Sequence, residues 1–116
     1  MTSEWKDQSL LLDMLNAAVC ALEFTSGLRL EEFSIDHKTQ SAVVYQIQII
    51  GEAARKISSG TKQAYPSIDW SSIVGMRNRL VHDYSRIDIG VVWEVVTDEL
   101  PLLVAALERI VPPPEE

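Results

Sequence analysis

From Val43 to Ile57 the chain sets Val43, Ile47, Ile50, Ala54 and Ile57 at alternating steps of four and three residues. That spacing lines one face of an α-helix, whereas a half-buried strand would alternate apolar and polar residues. The stripe predicts a helix from about 38 to 58, ended by Ser58-Ser59-Gly60. Leu11, Leu15, Ala18 and Leu22 repeat the spacing and predict a helix over 5–25, stopped by Gly27. After a linker holding Tyr65-Pro66, Asp69 is placed to cap a third helix, with Ile68 and Ile73 as a hydrophobic staple and Ile73, Met76 and Leu80 on its face. Asp88, Ile87 and Val92 repeat the device for a fourth. This one runs through Val96, Leu100, Leu103, Leu107 and Ile110 to Pro112-Pro113-Pro114. Pro101 lies inside that last pattern, where it lacks an N–H and crowds the carbonyl four residues earlier, so a kink is expected near Val96 to Leu100.

These segments predict an all-α fold, an up-and-down four-helix bundle with a short extra helix or turn and a kinked last helix. Composition agrees: 47% hydrophobic residues are too many for disorder, and 5 Gly with 5 Pro give little punctuation for a many-stranded β fold. At 116 residues one domain over 1–116 is expected, with the Pro/Glu tail at 111–116 disordered. The single cysteine, Cys20, removes a disulfide framework and any Cys-cluster zinc site. Flanked by Ala18, Val19, Ala21 and Leu22, it is expected to be an inert buried thiol. No secretory leader pattern and no apolar run near ~20 residues is present, so a cytoplasmic location is expected.

The net charge of -7 disfavours a protein that coats nucleic acid generally. Its distribution is uneven. Residues 1–36 hold 2 basic and 7 acidic side chains, residues 37–87 hold 7 and 3, and residues 88–116 hold 1 and 7. Both histidines, His37 and His82, fall in the basic middle third, where Arg77, Arg79 and Arg86 flank His82. A local site for an anionic ligand is compatible with an acidic whole; solvated faces balancing acidic neighbours are the plainer reading.

The segment from Gly75 to Tyr84 carries the densest chemistry. Histidine exchanges protons near neutrality, and arginine presents a permanently charged planar fork that matches phosphate oxygens. Asn78 and His82, four apart, would share a helix face, while Arg77 and His82, five apart, would diverge by ~140° on an ideal helix. Action on one substrate therefore requires the helix to end there or a second copy to contribute. The alternative is structural: His82 satisfies the last carbonyls of its helix and Arg77 pairs with an acidic neighbour. His82-Asp83 also resembles a metal-binding doublet, but only His37 remains as a further histidine, so no metal site is expected. No nucleophile with a flanking base and no glycine-rich phosphate loop is present.

The run Arg77-x4-His82-x-Tyr84 resembles the signature of the HEPN superfamily of helical ribonucleases, specifically the HepT-like toxins paired with minimal nucleotidyltransferase antitoxins. The resemblance extends through Ile50-Gly51-Glu52-Ala53-Ala54, Tyr65-Pro66 with Trp70, Val92-Trp93 and Leu100-Pro101, covering roughly residues 5 to 105. It implies a HEPN-like homodimer in which two Arg-x4-His motifs face each other across a shared cleft, with no cofactor and no membrane. It implies RNA (tRNA or mRNA) as substrate, cut without metal when a base deprotonates the ribose 2′-OH and an acid protonates the leaving 5′-oxygen. His82 would transfer protons, Arg77 would hold the scissile phosphate and Asn78 would orient it or His82, with Arg79 and Arg86 as further substrate-binding cations. Tyr84 would accept AMP from the antitoxin, as in a type VII-like toxin–antitoxin system. Glu52 is left between a partner for Arg77 and a structural helix residue, and Gly51 is expected at a close helix contact. The three tryptophans are expected in the core or the dimer interface. The alternative within the same superfamily is a non-catalytic nucleotide- or RNA-binding partner of a nucleotidyltransferase.

Overall fold

The computed structural model describes residues 3–83 and 86–111, with side chains at 6–81 and 86–111. Tyr84, the Trp5 side chain, the side chains of His82 and Asp83, and the tail at 112–116 lie outside the described residues.

Helix α1 (Ser3–Thr25) and helix α3 (His37–Lys56) form the central pair. They run antiparallel, because Asp7 near the start of α1 accepts hydrogen bonds from Ser58 just past the end of α3. Their shared face buries Leu11, Met14, Ala17, Ala18 and Ala21 with Val43, Ile47, Ile50, Ala53 and Ala54. The alanines at this seam allow close approach, while each fully buried Leu or Ile contributes roughly 1.5–3 kcal/mol relative to exposure. Gly27 ends the α1 turn with φ +80, the one positive φ among the described residues, so the expected stop is present. The expected half-buried stripe shifts slightly: Leu15 and Leu22 are only partly buried, and Met14 and Ala21 take the centre. Cys20 is half-buried rather than buried, since it lies beside that centre.

Two short helices join the frame. Helix α2 (Leu30–Ile35) precedes α3 and inserts Phe33, 0% exposed, against Trp93 with ring centroids 5.2 Å apart. Asp36 then caps α3, accepting from Thr39 N at 3.0 Å. Ser58 does more than end α3: its hydroxyl caps helix α4 (Ser59–Ala64) through Thr61 N, so the expected stop signal opens another helix.

The expected third helix is two pieces, α5 (Trp70–Val74) and α6 (Met76–Leu80), interrupted at Gly75. Asp69 caps α5 as expected, accepting from Ser72 N at 3.2 Å, and Ile68, Ile73, Met76 and Leu80 are all buried. A two-stranded antiparallel hairpin follows, β1 (Val81–Asp83) and β2 (Arg86–Ile87). Asp88 caps helix α7 (Ile89–Glu94) through Val91 N at 3.1 Å. Its staple is only half formed, because Ile87 stays 37% exposed while Val92 is buried.

The expected kink takes the form of a π turn. Residues Val95–Glu99 adopt π geometry before helix α8 (Leu100–Ile110), whose second residue is Pro101. A regular helix would aim the missing Pro101 N–H at the Thr97 carbonyl and press the ring against it; widening the turn relieves both problems. Val111, counted with the tail in the sequence, is buried beside α8. The resulting bundle is α1, α3, the α7–α8 rod and the segmented α5–α6 arm, and no helix among the described residues is long and apolar enough to cross a membrane.

Candidate active site

Helix α6 is a turn and a half long. Met76 and Leu80, four apart, are 1% and 0% exposed, which turns Arg77, Asn78 and Arg79 outward, and all three are exposed. The seat of this arm is set by Gly51 in α3. A Cβ there would lie 3.3 Å from the Ile73 carbonyl oxygen and 3.7 Å from that of Val74. Gly51 is thus the expected close contact, and it lets α5 press directly on α3.

The helix ends before His82. Val81 adopts extended φ and ψ of -123 and 110 while its N–H still reaches the Arg77 carbonyl. In the hairpin Val81 lies opposite Ile87 and Asp83 opposite Arg86. His82 is therefore the extra residue of a β-bulge, a distortion common beside active sites. Asp88 N–H closes the hairpin onto the Leu80 carbonyl at 2.7 Å, so the finger is pinned between the end of α6 and the start of α7. Asn78 and His82 accordingly do not share a helix face, because the chain has left the helix by Val81.

The cations differ in their surroundings. Arg77 makes no ion pair with any described residue. Arg79 is clasped by Glu99 of the π turn, Nη1 to Oε1 at 3.1 Å and Nη2 to Oε2 at 2.7 Å. That hydrogen bonding from Glu99 holds the Arg79 guanidinium more firmly protonated than an ordinary arginine. Arg86 is exposed on β2. Glu52 pairs with Arg55 on its own helix at 2.5 Å, so of its two readings the helix-surface one matches the structure. His37 is exposed at the start of α3. Trp70 is buried and donates Nε1–H to the Tyr65 carbonyl at 3.1 Å, and Trp93 is half-buried against Phe33. Among the described residues no group of three or more His, Cys, Asp or Glu is gathered as a metal site.

The model of the family described as "Ribonuclease HepT-like" matches residues 14–110. The chain belongs to the HepT-like family. A relative from Thermococcus cleftensis named "Probable ribonuclease HepT" is 36% identical over 100 residues, 86% of this chain and 91% of the relative. A relative from Methanocaldococcus jannaschii, named as a candidate RNase, is 33% identical over 103 residues, 89% and 94% of the two chains. Another candidate RNase, from Caldanaerobacter subterraneus, is 29% identical over 89 residues, 77% and 80% of the two. No solved structure matches. In this HepT-like chain the Arg77-x4-His82 run thus spans a helix end and a bulged strand rather than one helix. Glu99, which periodicity does not single out, is the residue that holds the neighbouring Arg79; Pro101 two positions on was the only hint that this turn departs from the stripe.

Proposed function

We propose that this HepT-like ribonuclease is a metal-independent endoribonuclease toxin that cuts RNA in a cleft shared by two copies of the chain. The observation that carries the reading is the exposed Arg77 beside Asn78 on α6, without an ion pair among the described residues and five residues before a histidine held at a bulge. Arg77 binds the scissile phosphate and stabilises the charge that develops on it. His82 transfers the proton between the 2′-OH and the leaving 5′-oxygen, with Asn78 orienting phosphate or imidazole. Arg86 extends the anionic contact along the finger. Tyr84, two residues past His82, is the acceptor for AMP from a nucleotidyltransferase antitoxin; the added phosphate would repel RNA.

The test is incubation of the purified protein with total RNA in EDTA. Cleavage that persists in EDTA and is lost in both Arg77→Ala and His82→Ala supports the assignment. Retained RNA binding without cleavage under any condition would instead identify a non-catalytic binding partner.

A further inference from the structure

We infer that Glu99 is a positioning residue for the Arg77 end of the site, acting through Arg79. Its catalytic consequence rests on the ribonuclease reading above; its mechanical consequence rests on the geometry of α6 and the π turn.

The ion pairs Arg29–Glu32, Arg55–Glu52 and Arg79–Glu99 differ in what they join. The first two are three apart on one helical segment, whereas Arg79–Glu99 joins separate elements. It is bidentate, and two parallel bonds between a planar fork and a carboxylate fix orientation as well as distance. With side chains 40% and 34% exposed, the pair sits in water and adds little to global stability, so its effect is chiefly on placement.

Helix α6 needs such a tether. Five residues cannot sustain a helix alone, and this one has Gly75 at one end and a bulged hairpin at the other. Met76 and Leu80 anchor its inner face, and Arg79 is its outer tie. Any rotation about the α6 axis that moves Arg79 carries Arg77, two residues away, through the same angle. With both terminal nitrogens engaged by Glu99, Arg79 orients the helix and leaves the phosphate to Arg77. Glu99 reaches it from the π turn, where the widened spacing imposed by Pro101 shifts the following side chains by up to ~100° relative to a continuous α-helix.

The variants are Glu99→Gln and the charge-swapped double variant Arg79→Glu with Glu99→Arg. Readouts are amide hydrogen exchange over residues 76–80, melting temperature, and kcat and KM on a labelled RNA. Glu99→Gln is expected to speed exchange in α6 and lower kcat roughly tenfold, with KM changed less than about threefold and melting little moved. The swap is expected to recover most of the lost kcat. Unchanged exchange overturns the inference, as does faster exchange with unchanged kcat. Tighter RNA binding with kcat retained also overturns it, because Glu99 would then be a competitor for the phosphate site. If wild-type protein cuts no RNA, the ribonuclease reading fails, and the exchange measurement still decides whether Glu99 holds α6.

Discussion

Asp7 links the first helix to a segment some fifty residues away, and its removal gives the clearest test of the packing. The carboxylate is 3% exposed and accepts from Ser58 N at 3.1 Å, Ser58 Oγ at 2.5 Å and Thr61 Oγ1 at 2.6 Å. Truncating a hydrogen bond to a charged group costs about 1.5–3 kcal/mol. Here the three bonds form one network, and deleting the charge also removes its burial penalty, so Asp7→Ala is expected to cost about 3 kcal/mol rather than the sum. Asp7→Asn keeps the shape and one acceptor and should lose about half of that. Burial alone would raise the Asp7 carboxyl, but the hydrogen bonds from Ser58 and Thr61 outweigh it and hold the group below its ordinary value. A carboxylate with a depressed folded value stabilises above its unfolded pKa, about 3.9, and that contribution fades as pH falls through the folded value. Urea unfolding at pH 7 should therefore separate wild type from Asp7→Asn, and the gap should narrow below about pH 4. An Asp7→Ala variant within about 0.5 kcal/mol of wild type, or a gap independent of pH down to 3, would refute this account.

Gly51→Val places a branched side chain where a single Cβ already lies 3.3 Å from a backbone oxygen, and thermal melts should show a loss of about 2–3 kcal/mol. Pro101→Ala restores the donor for the Thr97 carbonyl and lets the π turn relax; melting should hold or rise while RNA cleavage falls, and full activity would show that the π turn is not needed. Tyr84→Phe should cleave RNA like wild type yet resist silencing by a co-expressed nucleotidyltransferase, read as growth arrest in cells and absence of an AMP mass shift.

The long elements were legible because they bury continuous stripes: Val43 through Ile57 and Leu100 through Leu107 keep helical phase and all but announce their cores. Local caps were equally plain at Asp69 and Asp88, where a short acceptor precedes an apolar run. The segments that shape the candidate site were not. Ile73, Met76 and Leu80 stay buried across the break at Gly75, so the stripe carries no sign that the helix is divided. A hairpin with two or three residues per strand is too short to show alternation, and the bulge at His82 depends on register rather than residue type. Asp36 and Ser58 cap helices whose first turns are polar, His37-Lys38-Thr39-Gln40 and Ser59-Gly60-Thr61-Lys62, so no apolar run marks either as a helix start. Glu99 is set by a wide turn that moves residues off the 3.6-residue count, which no periodic reading detects.

The hydrogen bond from Asp88 N–H to the Leu80 carbonyl separates the site into two parts that answer to different rules. On the helix side, one inserted residue would swing everything after it by about 100° and tear Met76 or Leu80 from the core. Past Leu80 the chain passes into the β1–β2 hairpin, where added length changes reach and leaves Met76 and Leu80 in place. The length of the hairpin can therefore vary independently of the helix that carries Arg77, whose position is set by Met76, Leu80 and the Arg79–Glu99 tie.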